Sequence, residues 1–320
     1  CTEMKIWIAR PMTAAVTARA REAFADLEIR ETNAVMNEAE MLRALSEFDI
    51  VVPTLGDRFS AEIFAKAGTP RCKLLANFGV GYNHIDVEAA RAAGVEVTNT
   101  PGAVTDATAD IAMTLILMSA RRASEGERLL RKGDWQGWHP TQMLGLHATG
   151  KRVGIAGMGR IGQAIARRCH YGFGMDVSYV ARSPKDLDFP ADRAESLIDL
   201  AGQVDFLVVA VPGGAETTHL INAEVLNAMQ GHAHLINIAR GEVVEEAALI
   251  DALQNRRIGG AGLDVYEFEP KVPQTLIDLD NATLLPHLGT ATEEVRSDMG
   301  HMALDNAAAF LAGAALPNRV

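Results

Sequence analysis

This chain has few cysteines, no basic excess and no long apolar run, and each shortage removes a class of protein. Its three cysteines, Cys1, Cys72 and Cys169, are odd in number and far apart. They form neither a disulfide framework nor a metal spacing, so a reduced, cytoplasmic setting is expected. Acidic residues outnumber basic ones, 41 to 30, for a formal net charge of -11. That balance argues against nucleic acid or an anionic membrane as a partner. The longest apolar run, Ile111 to Met118, is too short to span a bilayer, and no signal peptide is expected. No Gly-x-Ser-x-Gly elbow is present, which removes a hydrolase of that type. His232-x-His234 lacks a third ligand at zinc spacing, so no metal site is expected. The first strand begins directly after Met4, so Met4 is expected to be the natural start and residues 1–3 an addition.

What is there suits a soluble globular protein: 320 residues, 48% hydrophobic and 22% charged, enough for two domains. The organising stretch is Lys151-Arg-Val-Gly-Ile-Ala156, which reads as a short buried strand, followed by Gly157-x-Gly159-x-x-Gly162 and an apolar-striped helix to Arg168. Gly157 permits a tight strand-to-helix turn, Gly159 lets the backbone approach a pyrophosphate, and Gly162 lets the helix press on the strand. The helix N-terminus then offers N–H groups to phosphates.

Taken in order, the chain alternates strands and helices. Strands are expected at Lys5–Ala9, Asp49–Pro53, Lys73–Ala76 and Val95–Thr98, with helices between them. Such βαβα alternation predicts a small doubly wound unit in the first hundred residues. Leu55 lies in a loop past the carboxyl end of one strand, where open parallel sheets bind ligands. Gly79 and Gly81, around Val80, follow the next strand; that turn is either an ordinary βα connection or one whose N–H groups hold a carboxylate. Asn99-Thr-Pro-Gly102 is a breaker cluster and a domain boundary. A single long helix is expected from Thr105 towards Lys132, then a loop carrying Trp135 and Trp138, which mark either an interface or a packing anchor. Further buried strands are expected at Asp176–Ser183, Val204–Pro212, His234–Ala239, Gly259–Tyr266 and Ala282–Leu285, and a terminal helix at Glu293–Ala312.

An NAD-specific unit usually places an acid ~20 residues past its glycines, to bond the ribose 2′-hydroxyl. Here Val180 and Ala181 stand at that place and Arg182 and Ser183 follow. A guanidinium and a hydroxyl suit a 2′-phosphate, which predicts NADP (NADPH preferred over NADH). Three charged residues then follow the ends of successive strands: Arg240, Glu269 and His287. A carbonyl that accepts hydride needs a proton donor, and histidine is poised near neutral pH. A carboxylate would hold that histidine, and a guanidinium would clamp an anionic substrate.

Gly157-x-Gly159-x-x-Gly162, Asn237-Ile-Ala-Arg-Gly241, Gly262-Leu-Asp-Val-Tyr-Glu-Phe-Glu-Pro270 and Leu285-Pro-His-Leu-Gly289 together resemble the D-isomer-specific 2-hydroxyacid dehydrogenase family, and most of all its glyoxylate/hydroxypyruvate reductases. The resemblance covers essentially the whole chain. It implies an α/β protein of two doubly wound Rossmann-like domains with parallel sheets. Residues 1–99 and 289–320 would form a split, flavodoxin-like substrate-binding domain, and residues 100–288 the dinucleotide-binding domain. It implies that His287 donates the proton with Glu269 as partner, and that Arg240 binds the substrate carboxylate and carbonyl. Leu55 would meet the substrate side chain, and the N–H groups of Val80 and Gly81 its carboxylate. Thr108, Gly157, Gly159, Arg160, Ile161, Gly162, Arg182, Ser183, Pro212, Ala239, Asp264 and Gly289 would serve the cofactor, Asp264 also supporting the catalytic pair. The family's members are usually homodimers joined through the cofactor domain. The implied reaction is reduction of a short 2-oxo acid, such as glyoxylate or hydroxypyruvate, to the D-2-hydroxy acid. Two alternatives stay open at this point: a bulkier 2-oxo acid such as phenylpyruvate, and a non-enzymatic corepressor-like protein that senses the nucleotide.

Overall fold

The computed structural model describes residues 4–320, so the expectation about residues 1–3 lies outside the described residues. The chain divides into two compact units, one running to Val104 and resuming at Ala291–Val320, the other Thr105–Thr290. Among the described residues no helix is long and apolar enough to cross a membrane.

The first unit is a five-stranded sheet of β1 (Ile6–Ile8), β2 (Leu27–Ile29), β3 (Ile50–Val52), β4 (Leu74–Ala76) and β5 (Glu96–Thr98), in the order β2-β1-β3-β4-β5. All its pairs are parallel. Central strands such as Ile50-Val-Val52 are apolar on both faces because helices cover both sides. The C-terminal helix Glu293–Leu311 returns to this unit and buries Ala303, Leu304 and Ala307 with Ile6, Ile8 and Leu74. Gly300 lets it pass the helix Ala14–Ala23, since a Cβ there would lie 2.6 Å from a Val16 methyl.

The second unit is a seven-stranded parallel sheet. Its strands are β6 (Arg152–Ala156), β7 (Asp176–Val180), β8 (Ala191–Arg193), β9 (Phe206–Val209), β10 (His234–Asn237), β11 (Gly260–Leu263) and β12 (Ala282–Leu284). The order is β12-β11-β10-β9-β6-β7-β8. From β6 the chain winds outwards through β7 to β8, then crosses back to β9 and winds out the other way. The reversal between β6 and β9 is the topological switch point, where open α/β sheets bind ligands beyond the strands' carboxyl ends.

The fold is therefore α/β with two parallel sheets, as expected, but two strands and one helix break were not foreseen. β2 and β8 are short edge strands, Leu-Glu-Ile and Ala-Asp-Arg, that no apolar run announces. The helix from Thr105 stops at Ala120 and restarts at Ala123, with Arg122 in left-handed conformation at φ 55°. The break has a tertiary cause: the Leu146 N–H takes the Ala120 carbonyl at 2.8 Å. Gly145 makes that approach possible, because a Cβ there would meet the same carbonyl oxygen at 2.3 Å.

Candidate active site

Every candidate in the second unit except Thr108 lies in a segment that follows the carboxyl end of a parallel strand. Gly157 follows β6 at φ 98°, and a Cβ on it would strike the Ala210 backbone beyond β9 at 2.8 Å. Gly162 lies in the helix Arg160–Arg167, where a Cβ would stand 2.0 Å from the Gly157 carbonyl oxygen. Both glycines are thus required by the protein's own packing. Gly159 is different. It caps the helix, its φ is ordinary, and a Cβ there would meet open space. Nothing in the chain needs a glycine at that point, which fits a cradle kept clear for a phosphate group beside the helix N–H groups. Arg160 and Ile161 form the first turn of that helix, Arg160 exposed and Ile161 half-buried.

Arg182 and Ser183 lie exposed beyond β7. The Arg182 guanidinium reaches Glu216 Oε2 at 2.7 Å, with 91% and 82% of the two side chains exposed. Pro212 is exposed beyond β9, and Ala239 is buried beyond β10. Thr108 is buried in the helix Thr105–Ala120, and its hydroxyl donates to the Gly289 carbonyl at 3.4 Å.

His287 follows β12 by three residues, and its Nδ1 lies 2.9 Å from Glu269 Oε2. The other Glu269 oxygen accepts the Tyr266 N–H at 3.0 Å. Burial pushes the Glu269 carboxyl up. The hydrogen bond and charge of His287, the Tyr266 N–H and the Arg240 charge outweigh that and hold it below its ordinary range. Glu269 is therefore a carboxylate that accepts from the imidazole.

The backbone at His287 is held against its own preference. The residue is left-handed at φ 55°, a conformation that costs about 1–3 kcal/mol for a non-glycine residue and persists where neighbours over-determine it. Two pins do so. The Tyr266 hydroxyl donates to the Leu285 carbonyl at 2.8 Å, before the histidine. Past it, the Leu288 and Gly289 N–H groups donate to Asp264 at 2.6 and 2.8 Å. Asp264 is buried, and desolvation raises its carboxyl above the ordinary value. Both its oxygens accept from the backbone that follows His287.

Arg240 lies three residues past β10. Asn237 shapes its turn, donating to the Arg240 carbonyl and accepting from the Ala239 N–H, each at 3.0 Å. Gly241 lets that turn touch the β11 exit, since a Cβ there would lie 1.9 Å from the Tyr266 carbonyl. The guanidinium donates to the Ala239 carbonyl at 2.7 Å and makes no ion pair with any described carboxylate. A half-buried guanidinium whose charge reaches Glu269 without an ion pair, beside a bonded imidazole–carboxylate pair, is equipped to receive an anion that carries a carbonyl.

In the first unit, Leu55 is exposed on the loop after β3, and Val80 and Gly81 form a half-buried turn after β4. The sequence reasoning did not single out Tyr266 or Asn237 as site-forming. Their signal was present only as membership of the Gly262–Pro270 and Asn237–Gly241 motifs, because their partners are backbone groups that no pattern displays.

The chain is similar along most of its length to several known proteins. Residues 113–289 match the model of the D-isomer specific 2-hydroxyacid dehydrogenase NAD binding domain. The chain is 46% identical over 286 residues to a glyoxylate reductase of Thermococcus kodakarensis, covering 88% of this chain and 85% of that one. It is 35% identical to a glycerate dehydrogenase of Hyphomicrobium methylovorum, covering 98% of each. Among solved structures, an NADPH-dependent glyoxylate/hydroxypyruvate reductase of Sinorhizobium meliloti, in complex with NADP and malonate, superposes with a TM-score of 0.86 at 36% identity. That likeness covers 100% of this chain and 97% of the other.

Proposed function

The chain belongs to the D-isomer specific 2-hydroxyacid dehydrogenase family, and from that membership we propose that it reduces a short 2-oxo acid, glyoxylate or hydroxypyruvate, to the D-2-hydroxy acid with NADPH. The observation that carries this reading is the His287–Glu269 bond at 2.9 Å, with the Arg240 charge acting on the same carboxylate and in no ion pair with any described one. A nucleotide-sensing scaffold has no use for that arrangement; a carbonyl reductase has.

The cofactor would be held by the Gly157–Gly162 loop, the first turn with Arg160 and Ile161, and the strand-end residues Pro212, Ala239 and Gly289, with Thr108 nearby. Arg182 and Ser183 would receive the 2′-phosphate. The reduced nicotinamide, when bound, supplies the hydride. The chain's own residues do the rest. Arg240 binds the substrate carboxylate and polarises its carbonyl. Val80 and Gly81, in the first unit, would offer two backbone N–H donors to a 2-oxo acid's carboxylate, and Leu55 is the position the resemblance gives to the side chain. The imidazole of His287 delivers a proton to the carbonyl oxygen as charge develops there. Glu269, kept ionised, stabilises the protonated imidazole and fixes its Nδ1–H, so that Nε2 faces the substrate.

A homodimer joined through the cofactor-binding unit belongs to the same reading. Its support is the exposure of Trp135 and Trp138, 50% and 79%, on one loop of that unit. The test of the whole reading is an initial-rate panel of 2-oxo acids with NADPH and with NADH. Turnover of glyoxylate and hydroxypyruvate with NADPH is the expected result. A protein that binds NADPH yet oxidises it with no 2-oxo acid would end the proposal, and a preference for phenylpyruvate would move the substrate to a bulkier class.

A further inference from the structure

The Val80–Gly81 turn is aimed by two asparagines that no comparison assigns to the site. Asn77 directly follows β4 and is 0% exposed. Its amide Nδ2 donates to the carbonyls of Gly79 and Gly81 at 3.2 and 3.0 Å. The Val80 carbonyl between them accepts from Asn99 Nδ2 at 3.0 Å. The Gly79 carbonyl takes a further bond from the Thr100 N–H at 3.0 Å, and the Gly79 N–H donates to Thr100 Oγ1 at 3.1 Å. Three successive carbonyls are therefore turned to the protein's own amides. By contrast, no acceptor among the described residues takes the N–H of Val80 or of Gly81.

The two facts are one. A planar trans peptide points its C=O and its following N–H in opposite directions. The carbonyls of Gly79 and Val80 share their planes with the N–H groups of Val80 and Gly81. Drawing those carbonyls inwards turns the two N–H groups outwards as an adjacent pair of donors. Gly79 reaches this geometry at φ 147°, which L side chains rarely adopt. The orientation of the Asn77 amide is itself fixed. With Nδ2 facing two carbonyls, Oδ1 faces His84 Nε2 at 2.9 Å, and since it can only accept, that nitrogen carries the proton.

We propose that Asn77 and Asn99 are positioning residues that aim the Val80 and Gly81 N–H groups at a substrate carboxylate, with His84 locking the Asn77 amide. The inference rests on the proposed assignment of that turn to a 2-oxo acid's carboxylate. Neither asparagine touches the reacting atoms. Their effect falls on the affinity for the anion, not on hydride transfer or cofactor binding.

The experiment uses Asn99→Ala, which frees the Val80 carbonyl alone, and Asn77→Asp, which keeps size but sets an acceptor against two carbonyls. Three quantities are read in the full-length protein: the KM and kcat for glyoxylate, the Kd for NADPH, and the Kd for oxalate, an unreactive dicarboxylate, on the NADPH complex by calorimetry. Misaimed donors should raise the glyoxylate KM and the oxalate Kd by about tenfold or more, while kcat and the NADPH Kd change by less than about threefold. Unchanged KM and oxalate Kd in Asn99→Ala overturn the inference, as does a loss of NADPH binding in step with them. If Asn77→Asp does not fold, Asn99→Ala decides alone. Because oxalate is read by binding, a wild type that binds it but turns over no 2-oxo acid defeats the proposed reaction and still tests the turn. A wild type that does not bind oxalate at all overturns the inference.

Discussion

The Leu288 N–H donates to Asp264 Oδ1 at 2.6 Å, so a buried carboxylate at the exit of one strand fixes the backbone one residue past His287. Its other oxygen takes the Gly289 N–H at 2.8 Å. Asp264→Ala would leave two N–H donors without a protein acceptor, at about 1–3 kcal/mol for each that stays buried. The left-handed His287 would then lose the pin on its C-terminal side. The expected outcome is a lower thermal midpoint together with a kcat reduced about tenfold or more. Both follow from ordinary unfolding and initial-rate measurements. A stability loss with unchanged kcat would show that the histidine loop holds its shape without Asp264.

His287→Gln removes the proposed proton donor while keeping a polar side chain of similar reach. Removing a general acid typically costs about 10²–10⁴ in rate, so kcat should fall by at least two orders of magnitude with NADPH still bound. Fluorescence titration of NADPH beside steady-state rates separates the two. Turnover near the wild-type value would rule out His287 as the donor.

Glu269 contributes charge as well as orientation. Its carboxyl lies below its ordinary value, so it stays ionised as pH falls through the weakly acid range and protonates only below the usual carboxylate pH. Glu269→Gln preserves a hydrogen-bonding oxygen but deletes the negative charge beside the imidazole. The kcat for the 2-oxo acid should fall by about tenfold or more while the NADPH Kd changes by less than about threefold. A kcat near the wild-type value would mean that the charge of Glu269 plays no part in the reduction.

How much of this was legible in the sequence depends on how local each cause is. The glycine loop was legible because its pattern spans six residues and the flanking strand and helix announce themselves. The charged triplet was legible because each member follows an apolar strand within a few residues. β2 and β8 were not, since edge strands of three residues are recruited by a neighbour and need no apolar run of their own. The break at Arg122 was hidden for a related reason. Arginine is a good helix former, and the contact that ends the helix comes from Leu146, far along the chain. The same holds for Tyr266 and Asn77. Each acts by hydrogen bonds to main-chain carbonyls, whose positions only the folded backbone defines.

Cofactor choice has a sharp test at Arg182. Its ionic partner, Glu216, is nearly as exposed as itself, and exposed pairs contribute about 0–1 kcal/mol, so a 2′-phosphate can displace Glu216 at little cost. Arg182→Ala should raise the KM for NADPH about tenfold or more and leave that for NADH nearly unchanged. Glu216→Gln should lower the NADPH value modestly, because the guanidinium is then uncontested. Equal effects of Arg182→Ala on both nucleotides would remove the argument for the phosphorylated cofactor.

Acid stability offers a last test, far from the chemistry. His234 opens β10, 8% exposed, with its Nδ1 2.6 Å from Ser119 Oγ and its ring packed against Phe206. Gly259 and Gly260 leave it room, since a Cβ on either would approach the ring to 3.1 and 2.8 Å. Burial first, and the neighbouring His232 second, lower its pKa from 6.5 to about 4. The sign follows from which state takes the proton. Above pH 6.5 neither folded nor unfolded chain protonates this ring, and it has no pH-dependent effect. Between pH 6.5 and about 4 the unfolded chain binds a proton that the folded one refuses, so stability declines, by up to about 3 kcal/mol at the lower end. His234→Gln abolishes that titration but weakens the Ser119 contact. At pH 7.5 the variant should therefore be the less stable protein in urea unfolding, by about 1 kcal/mol or more. As the pH is lowered towards 4 the gap should close and then reverse. A gap that stays constant across that range would mean that His234 titrates alike in both states and that its burial carries no proton linkage.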